Sequence, residues 1–257
     1  MKHLFSCCLF LSSLLTGYSG FAQQYAIGIR GGLSIPNLTG DGSTQNPLNT
    51  GYSSRVGADA GIFAEFKLSQ LFSIQPMIKY SSQGGKKDGF QALPVSRELG
   101  SMFPPGQVPP YFYADYNSVV KLNYLMIPVL AKFGMNFSST SPFRVYADAG
   151  PFVGFLLSAK QVTSGQSTIY IDPGGQQALP IGSQSFNKTV NIKDQLQSTN
   201  FGIEGNAGLS YSFGPGDIFM EGGFNYGFTN IQKGTDNGKN KIGTATITIG
   251  YSHWFGK

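Results

Sequence analysis

The chain has 257 residues, 35 of them glycine, with 14% aromatic and only 12% charged side chains and a formal net charge of +5. Without Lys2 the count is 17 cations against 13 anions, a net +4, too mild and too dispersed for a nucleic-acid partner. Both cysteines, Cys7 and Cys8, lie in the N-terminal segment, so the rest of the chain offers neither a disulfide nor a thiolate metal site.

The first element is that segment. Lys2 precedes an apolar run, Leu4 to Leu15, and small residues stand at Gly20 and Ala22. This is the pattern of a secretory signal peptide over residues 1–22, and the apolar part is too short to span a bilayer comfortably. Residues 23–257 then form one domain of about 235 residues by the usual length prior.

Helical periodicity is nearly absent after Ala22, whereas period-two alternation recurs eight times. In YAIGIRGGLS, Tyr25, Ile27, Ile29 and Leu33 oppose Gly28, Arg30, Gly32 and Ser34. RVGADAGIFAEFKL sets Val56 through Leu68 at even positions against Arg55, Asp59, Glu65 and Lys67. LFSIQPMIKYS sets Phe72, Ile74, Ile78 and Tyr80 against Ser73, Gln75 and Lys79. KLNYLMIPVLAKF is apolar on both faces after Asn123, so its register stays open, and Pro128 marks a bulge or an irregular ladder position. FRVYADAGPFVGFLLS places Arg144, Tyr146, Asp148 and Gly154 opposite an apolar face. NFGIEGNAGLSYSF does the same with Glu204, Asn206, Ser210 and Ser212, and DIFMEGGFNYGFT with Glu221, Asn225 and Thr229. ATITIGYSHWF ends the chain with Ile247, Ile249, Tyr251, His253 and Phe255 against Thr244, Thr246, Thr248 and Ser252.

Connections alternate in length. Ser69-Gln70, NFSSTSP and Gly214-Pro215-Gly216 are short, whereas 35–54, 84–118, 161–198 and 230–241 are long and polar. In an up-and-down meander all short turns fall at one end. The fold class is therefore all-β: a transmembrane antiparallel β-barrel of about eight strands, with short periplasmic turns and long extracellular loops. A soluble sandwich is the competing fold. Against it stand the glycines on the polar faces and charges of balanced sign there, which suit the narrow interior of a small barrel. Arg30, Arg55, Asp59, Glu65, Lys67, Lys79, Arg144, Asp148, Glu204 and Glu221 are thus expected to form a charge network in the lumen. Tyr80, Tyr124, Phe143, Tyr211, Phe213, Tyr226, Phe228, Tyr251 and Trp254 gather near strand ends and are expected to form interfacial girdles. Segments 167–173 and 188–194 either form an extra hairpin, giving ten strands, or extend strands five and six beyond the membrane.

The sequence also resembles a known group, the small outer-membrane β-barrel proteins of Bacteroidetes, including the PorT family. The likeness lies in GIRGGLSIPNL, in YLMIPVLAKFG (Tyr124–Gly134), in AGPFVGFLLSAK (Ala149–Lys160), and in FGIEGNAGLSY with GFNYGFTNI. Members often carry an acidic residue where this chain has Met126. The resemblance implies the Gram-negative outer membrane, and its namesake's link to type IX secretion implies a secretion role among the possibilities.

Little points to catalysis. Past Ala22 the sequence holds one histidine, His253, on the face expected to meet lipid. Asp59, Glu65, Asp148, Glu204 and Glu221 have the chemistry of an acid/base pair, but cations in matching number share their face. Gly84-Gly85-Lys86-Lys87 lacks the strand-to-helix context of a phosphate loop, and no metal-ligand spacing is present; no enzyme activity and no cofactor are expected. The partners expected are outer-membrane lipid, the barrel-assembly machinery through the aromatic C-terminal strand, and an envelope or extracellular protein. For the last, the candidate contact is PPGQVPPYFYADY, with Tyr111, Phe112, Tyr113 and Tyr116, since rigid aromatics make binding hot spots; the same rings equally suit packing on the rim. Two functions remain open: a structural or interaction role (envelope integrity, adhesion, loop-mediated binding), or a narrow channel or secretion-complex component.

Overall fold

A computed structural model of the chain describes residues 24–40, 47–48, 50–234 and 239–256. The leader expected over residues 1–22 lies outside them.

The strands in chain order are β1 (Tyr25–Gly40), β2 (Gly57–Lys67), β3 (Phe72–Lys87), β4 (Phe90–Leu93), β5 (Phe112–Asp115), β6 (Asn117–Asn136), β7 (Phe143–Ser164), β8 (Gln166–Ser167), β9 (Gln184–Ser185), β10 (Lys188–Asn191), β11 (Thr199–Phe213), β12 (Gly216–Gly227) and β13 (Asn240–Phe255). A single helical turn, α1 (Arg97–Gly100), lies between β4 and β5. Eight long strands, β1, β2, β3, β6, β7, β11, β12 and β13, pair antiparallel in that order among the described residues. β13 returns to β1, in register from Tyr25↔Phe255 to Gly40↔Asn240. The ring has no free edge, so its wall meets its own hydrogen bonds, as a spanning sheet in lipid must.

The alternation decides which side is which. Ile27, Ile29, Ile62, Phe66, Ile78, Phe133, Val145, Leu157, Ile203, Met220 and Ile249 are all exposed on the outer face. Arg30, Asp59, Lys79, Glu204 and Glu221 on the alternate positions are buried inside. The short turns 68–71, 137–142 and 214–215 form the periplasmic end. Gly214 adopts φ 57° there, a conformation that suits glycine.

Strands run further than their alternation predicts. β1, β3, β6 and β7 have 16, 16, 20 and 22 residues, well above the roughly 9–11 needed to cross. Their upper parts, such as Ser82–Lys87 paired with Ser118–Asn123, stand clear of the membrane. Glycine and polar residues there hide the period-two signal, yet the backbone still pairs.

Two expectations are corrected here and one, for Pro128, is met. Tyr124 and Trp254 are not girdle residues: Tyr124 is buried in the barrel interior, and Trp254 lies in the periplasmic mouth, donating from Nε1 to Asp217 Oδ2 at 2.7 Å. Both have inward parity. A register shift in the wall falls at Asn123/Tyr124. Pro128 takes the irregular ladder position expected of it: the β3–β6 ladder skips there, between Pro76↔Val129 and Lys79↔Met126, while Pro128 pairs with Phe152 in the β6–β7 ladder. Finally, Lys188–Asn191 extends the wall by pairing with Lys160–Thr163, but Ser167–Pro173 leaves it. Tyr170 bridges Tyr113 and Ala178 instead. No ten-stranded ring forms.

Candidate functional site

The lumen is filled in layers. At the periplasmic mouth the Lys67 ammonium donates to Gln24 Oε1 at 3.3 Å and lies 5.3 Å from the centre of the Trp254 ring. Arg144, expected in the inner network, stays at this rim. Its Nη1 donates to the Gln70 carbonyl at 3.2 Å and to Asn136 Oδ1 at 3.5 Å. One step inward, Glu65 pairs with Lys132 at 2.8 Å and accepts a bond from Ser73 Oγ at 2.7 Å. Lys132 also lies 4.1 Å from the Tyr146 ring centre. Above this pair, Phe63, Met77, Leu130, Tyr146 and Phe219 form an apolar layer across the lumen.

The central charge cluster follows. Arg30 contacts Asp59 at 3.4 Å, Glu204 at 3.7 Å and Glu221 through Nη1. Lys79 reaches Asp59 at 3.3 Å and Glu204 at 2.8 Å. Tyr146 Oη donates to Glu221 Oε2 at 2.9 Å, and Thr248 Oγ1 to Glu221 Oε1 at 3.1 Å. Asp148 lies in the same stratum but takes an amide partner, accepting from Asn206 Nδ2 at 2.7 Å. Next comes an uncharged polar hub: Gln83 Nε2 donates to Ser81 Oγ at 2.9 Å and to Asn225 Oδ1 at 3.2 Å, and Gln83 Oε1 accepts from Thr244 Oγ1. The upper lumen is apolar again, with Leu38, Val120, Leu122, Tyr124, Met126, Phe152, Leu156, Leu196, Ile231 and Ile242 in one cluster.

Five of the ten expected charges, Arg30, Asp59, Lys79, Glu204 and Glu221, therefore meet in one cluster, with Asp148 beside it. Glu65 belongs to a separate pair. Lys67 and Arg144 stay at the mouth. Arg55 belongs to the wall: its Nη2 donates to Ser82 Oγ at 2.7 Å and to the Gln83 carbonyl at 2.6 Å, because the chain before β2 runs over β3 there. Lys132, paired with Glu65, joins the network unexpected. The open register of the fourth strand hid its inward parity, although it is the one charged residue between Tyr124 and Gly134.

The loops 88–116 and 165–198 build a second core outside the membrane. Leu93, Phe112, Ala114, Tyr116, Ile169 and Leu179 are buried together there. Phe112 is 0% exposed and tilts against Phe103 at 5.7 Å; Tyr116 stacks on Phe186 at 4.7 Å. Tyr113, half-buried, stacks on Phe90 at 6.1 Å. Of the four candidate contact aromatics, Phe112 and Tyr116 are thus turned inward, and Tyr111 and Tyr113 are half-buried. Packing a four-residue hairpin, β4–β5, needs such a core, since two short strands are not stable alone. Burial pushes the Tyr116 hydroxyl up to about 12.

Among the described residues no group of three His, Cys, Asp or Glu side chains is placed to hold a metal ion. The family described as outer membrane protein beta-barrel domain matches residues 21–233. Among solved structures the chain is similar to Neisserial surface protein A (13% identity, 90% of this chain and 99% of that one, TM-score 0.42). It is also similar to OprG from Pseudomonas aeruginosa (13%, 90% and 95%, 0.37) and to Ail, the attachment invasion locus protein of Yersinia pestis (12%, 90% and 98%, 0.35). No curated protein matches the sequence.

Proposed function

Because the chain belongs to the outer membrane protein beta-barrel domain family, we propose that it serves the Gram-negative outer membrane as a closed barrel with a structural and interaction role, its loop module being the working surface. The observation that carries this is the filled lumen. A conducting path needs continuous wetted space, and two apolar layers interrupt it, one around Phe63, Met77, Leu130 and Phe219 and one around Leu122, Tyr124 and Met126. Eight strands leave an interior just wide enough for side chains to fill. The carboxylates there are held by cations or amides, which supports a role without catalysis. Residues 1–22 act as the export leader. The outward Tyr251 and Phe255 of the last strand serve recognition by the assembly machinery.

Planar-bilayer recording of the purified protein tests the closed lumen. A quiet bilayer is expected at protein densities where a porin control conducts. Steady single-channel openings would overturn the reading in favour of a narrow transport channel.

A further inference from the structure

The outward face of β6 and β7 is layered towards its extracellular end. Leu125, Ile127 and Val129 on β6 and Val153, Phe155 and Leu157 on β7 belong to the lipid-facing band. Directly above them Asn123 pairs with Ser158, its Nδ2 donating to Ser158 Oγ at 3.0 Å. Above that polar rung Lys121 stands opposite Lys160 in the same ladder, both exposed. Side chains directly opposite on an antiparallel pair have Cβ atoms about 4.5–5.5 Å apart, and like charges placed so repel. Two ammonium groups on one rung therefore call for an anion between them.

A second observation lies at the bulge between these layers. The β6–β7 register passes from Leu156 to Ser158 and leaves Leu157 as the extra residue, which a bulge leaves unpaired. Here the Lys193 ammonium donates to the Leu157 carbonyl at 3.0 Å, which anchors a third cation beside the rung. The neighbouring Lys86 on β3, diagonal to Lys121 in the ladder, shows the alternative: it is answered within the chain by Asp88 at 3.3 Å. The outward cations of this strip sit at one end only. At the periplasmic end of the same two strands the outward positions Phe133, Met135, Phe143 and Val145 are apolar and exposed, and Lys132 turns inward to Glu65.

We propose that this strip of the outer wall binds a phosphate-bearing lipid of the outer leaflet. The phosphate sits between Lys121 and Lys160, with Lys193 at its flank, where charge-assisted bonds are strong. The polar linkage of the lipid lies level with Asn123 and Ser158, and its acyl chains lie along Leu125, Phe155 and Leu157. Phosphate, linkage and chain thus follow the order of the three layers. This inference rests on the outer-membrane placement. It is independent of the closed lumen, and the conductance experiment does not bear on it.

The test uses the full chain in dodecyl maltoside micelles, titrated with dioleoyl phosphatidic acid and read by native mass spectrometry as lipid retained per protein. Retention of phosphatidic acid in preference to dioleoyl phosphatidylcholine is expected. Glycerol phosphate, which has the headgroup without the chains, should not compete at equal concentration. Lys121→Gln and Lys160→Gln should each weaken retention about fivefold, the worth of one cation at an anionic lipid surface. Lys241→Gln removes an outward lysine on β13, across the ring, and should leave retention unchanged. Without lipid, Lys160→Gln should raise the heat-modification temperature on gels by relieving the repulsion; with phosphatidic acid present it should lower it. Equal retention of phosphatidylcholine would overturn the site. So would a Lys121→Gln, Lys160→Gln double variant that retains phosphatidic acid as well as Lys241→Gln does, or a Lys160→Gln shift of the same sign with and without lipid. Competition by glycerol phosphate at equal concentration would overturn the assignment to a lipid.

Discussion

Lys79 is the strongest single test of the lumen. It is 1% exposed and pairs with two carboxylates, Asp59 at 3.3 Å and Glu204 at 2.8 Å. At an effective dielectric of about 20, each contact is worth roughly 5–6 kcal/mol of attraction, and most of this is offset by the cost of burying the ammonium. The cluster holds two cations, Arg30 and Lys79, against three carboxylates, Asp59, Glu204 and Glu221. Lys79→Met raises the surplus negative charge from one to two and strands two carboxylates in a dry interior. The expected loss is about 3–5 kcal/mol, the usual result of removing one partner from a buried pair. Glu204→Gln, by contrast, balances the cluster and keeps an acceptor facing Lys79, so it should cost about 1 kcal/mol. Added to Lys79→Met, it should restore roughly half the loss, since contacting residues are not additive. Urea unfolding of the protein in lipid vesicles, followed by Trp254 fluorescence, gives these differences as midpoint shifts at constant slope. If Lys79→Met costs under about 1 kcal/mol, or if Glu204→Gln deepens its loss, the charges do not work as one network.

The wall, the loops and the mouth give further expectations. Ile62, 58% exposed on the outer face, should lose about 2–4 kcal/mol on Ile62→Arg if it lies near the bilayer midplane, read as a lower heat-modification temperature on gels. Gly61→Ala faces the other way: its Cβ would lie 2.6 Å from Lys79 Cβ and 2.8 Å from the Ile78 carbonyl oxygen, so refolding yield should fall although no polar group is lost. Phe112→Ala should cost about 3–5 kcal/mol of loop-module stability, as large core truncations do, giving faster proteolysis within 88–116 at unchanged barrel mobility on unboiled gels. Desolvation lowers the Lys87 ammonium to about 8 from its ordinary 10.5. Between these values the unfolded loop binds more protons than the folded one, so folded-state stability rises with pH across that window. Among the described residues the only other charged group lining the space beneath the loop module is Lys233, and the nearby exposed Lys86 pairs with Asp88 at 3.3 Å. Hydrogen exchange around residues 50–54 and 86–88 should therefore show the wild type gaining protection relative to Lys87→Met from pH 8 to 10.5; a difference independent of pH would refute the shift.

The barrel was legible because seven strands put apolar residues on one face only, and the alternation of short and long connections supplied the topology. The fourth was opaque for a physical reason. Its inner positions, Val120, Leu122, Tyr124, Met126 and Leu130, are apolar because they build the interior layers, so both of its faces read alike. Lys132 carried the missing register: as the lone charge of Tyr124–Gly134 it had to turn inward to meet Glu65, and that parity would also have placed Tyr124 in the lumen. The contact between Arg30 and Glu221, 191 positions apart, follows only once the ring closes. Arg144 and Arg55 share the parity of the network but lie too near the strand ends to reach it, a matter of height that alternation does not encode.

The loop aromatics invite a similar argument about where function can sit. A dense aromatic segment on an exposed loop has the composition of a binding surface, but β4 and β5 have four residues each and need a hydrophobic face to persist. Phe112 and Tyr116 supply that face, together with Ile169 and Leu179 from the loop after β7. Side chains used in this way hold the module over the barrel mouth. What the module then encloses is the space beneath it, which Lys87, Asn240 and Gln232 help to line.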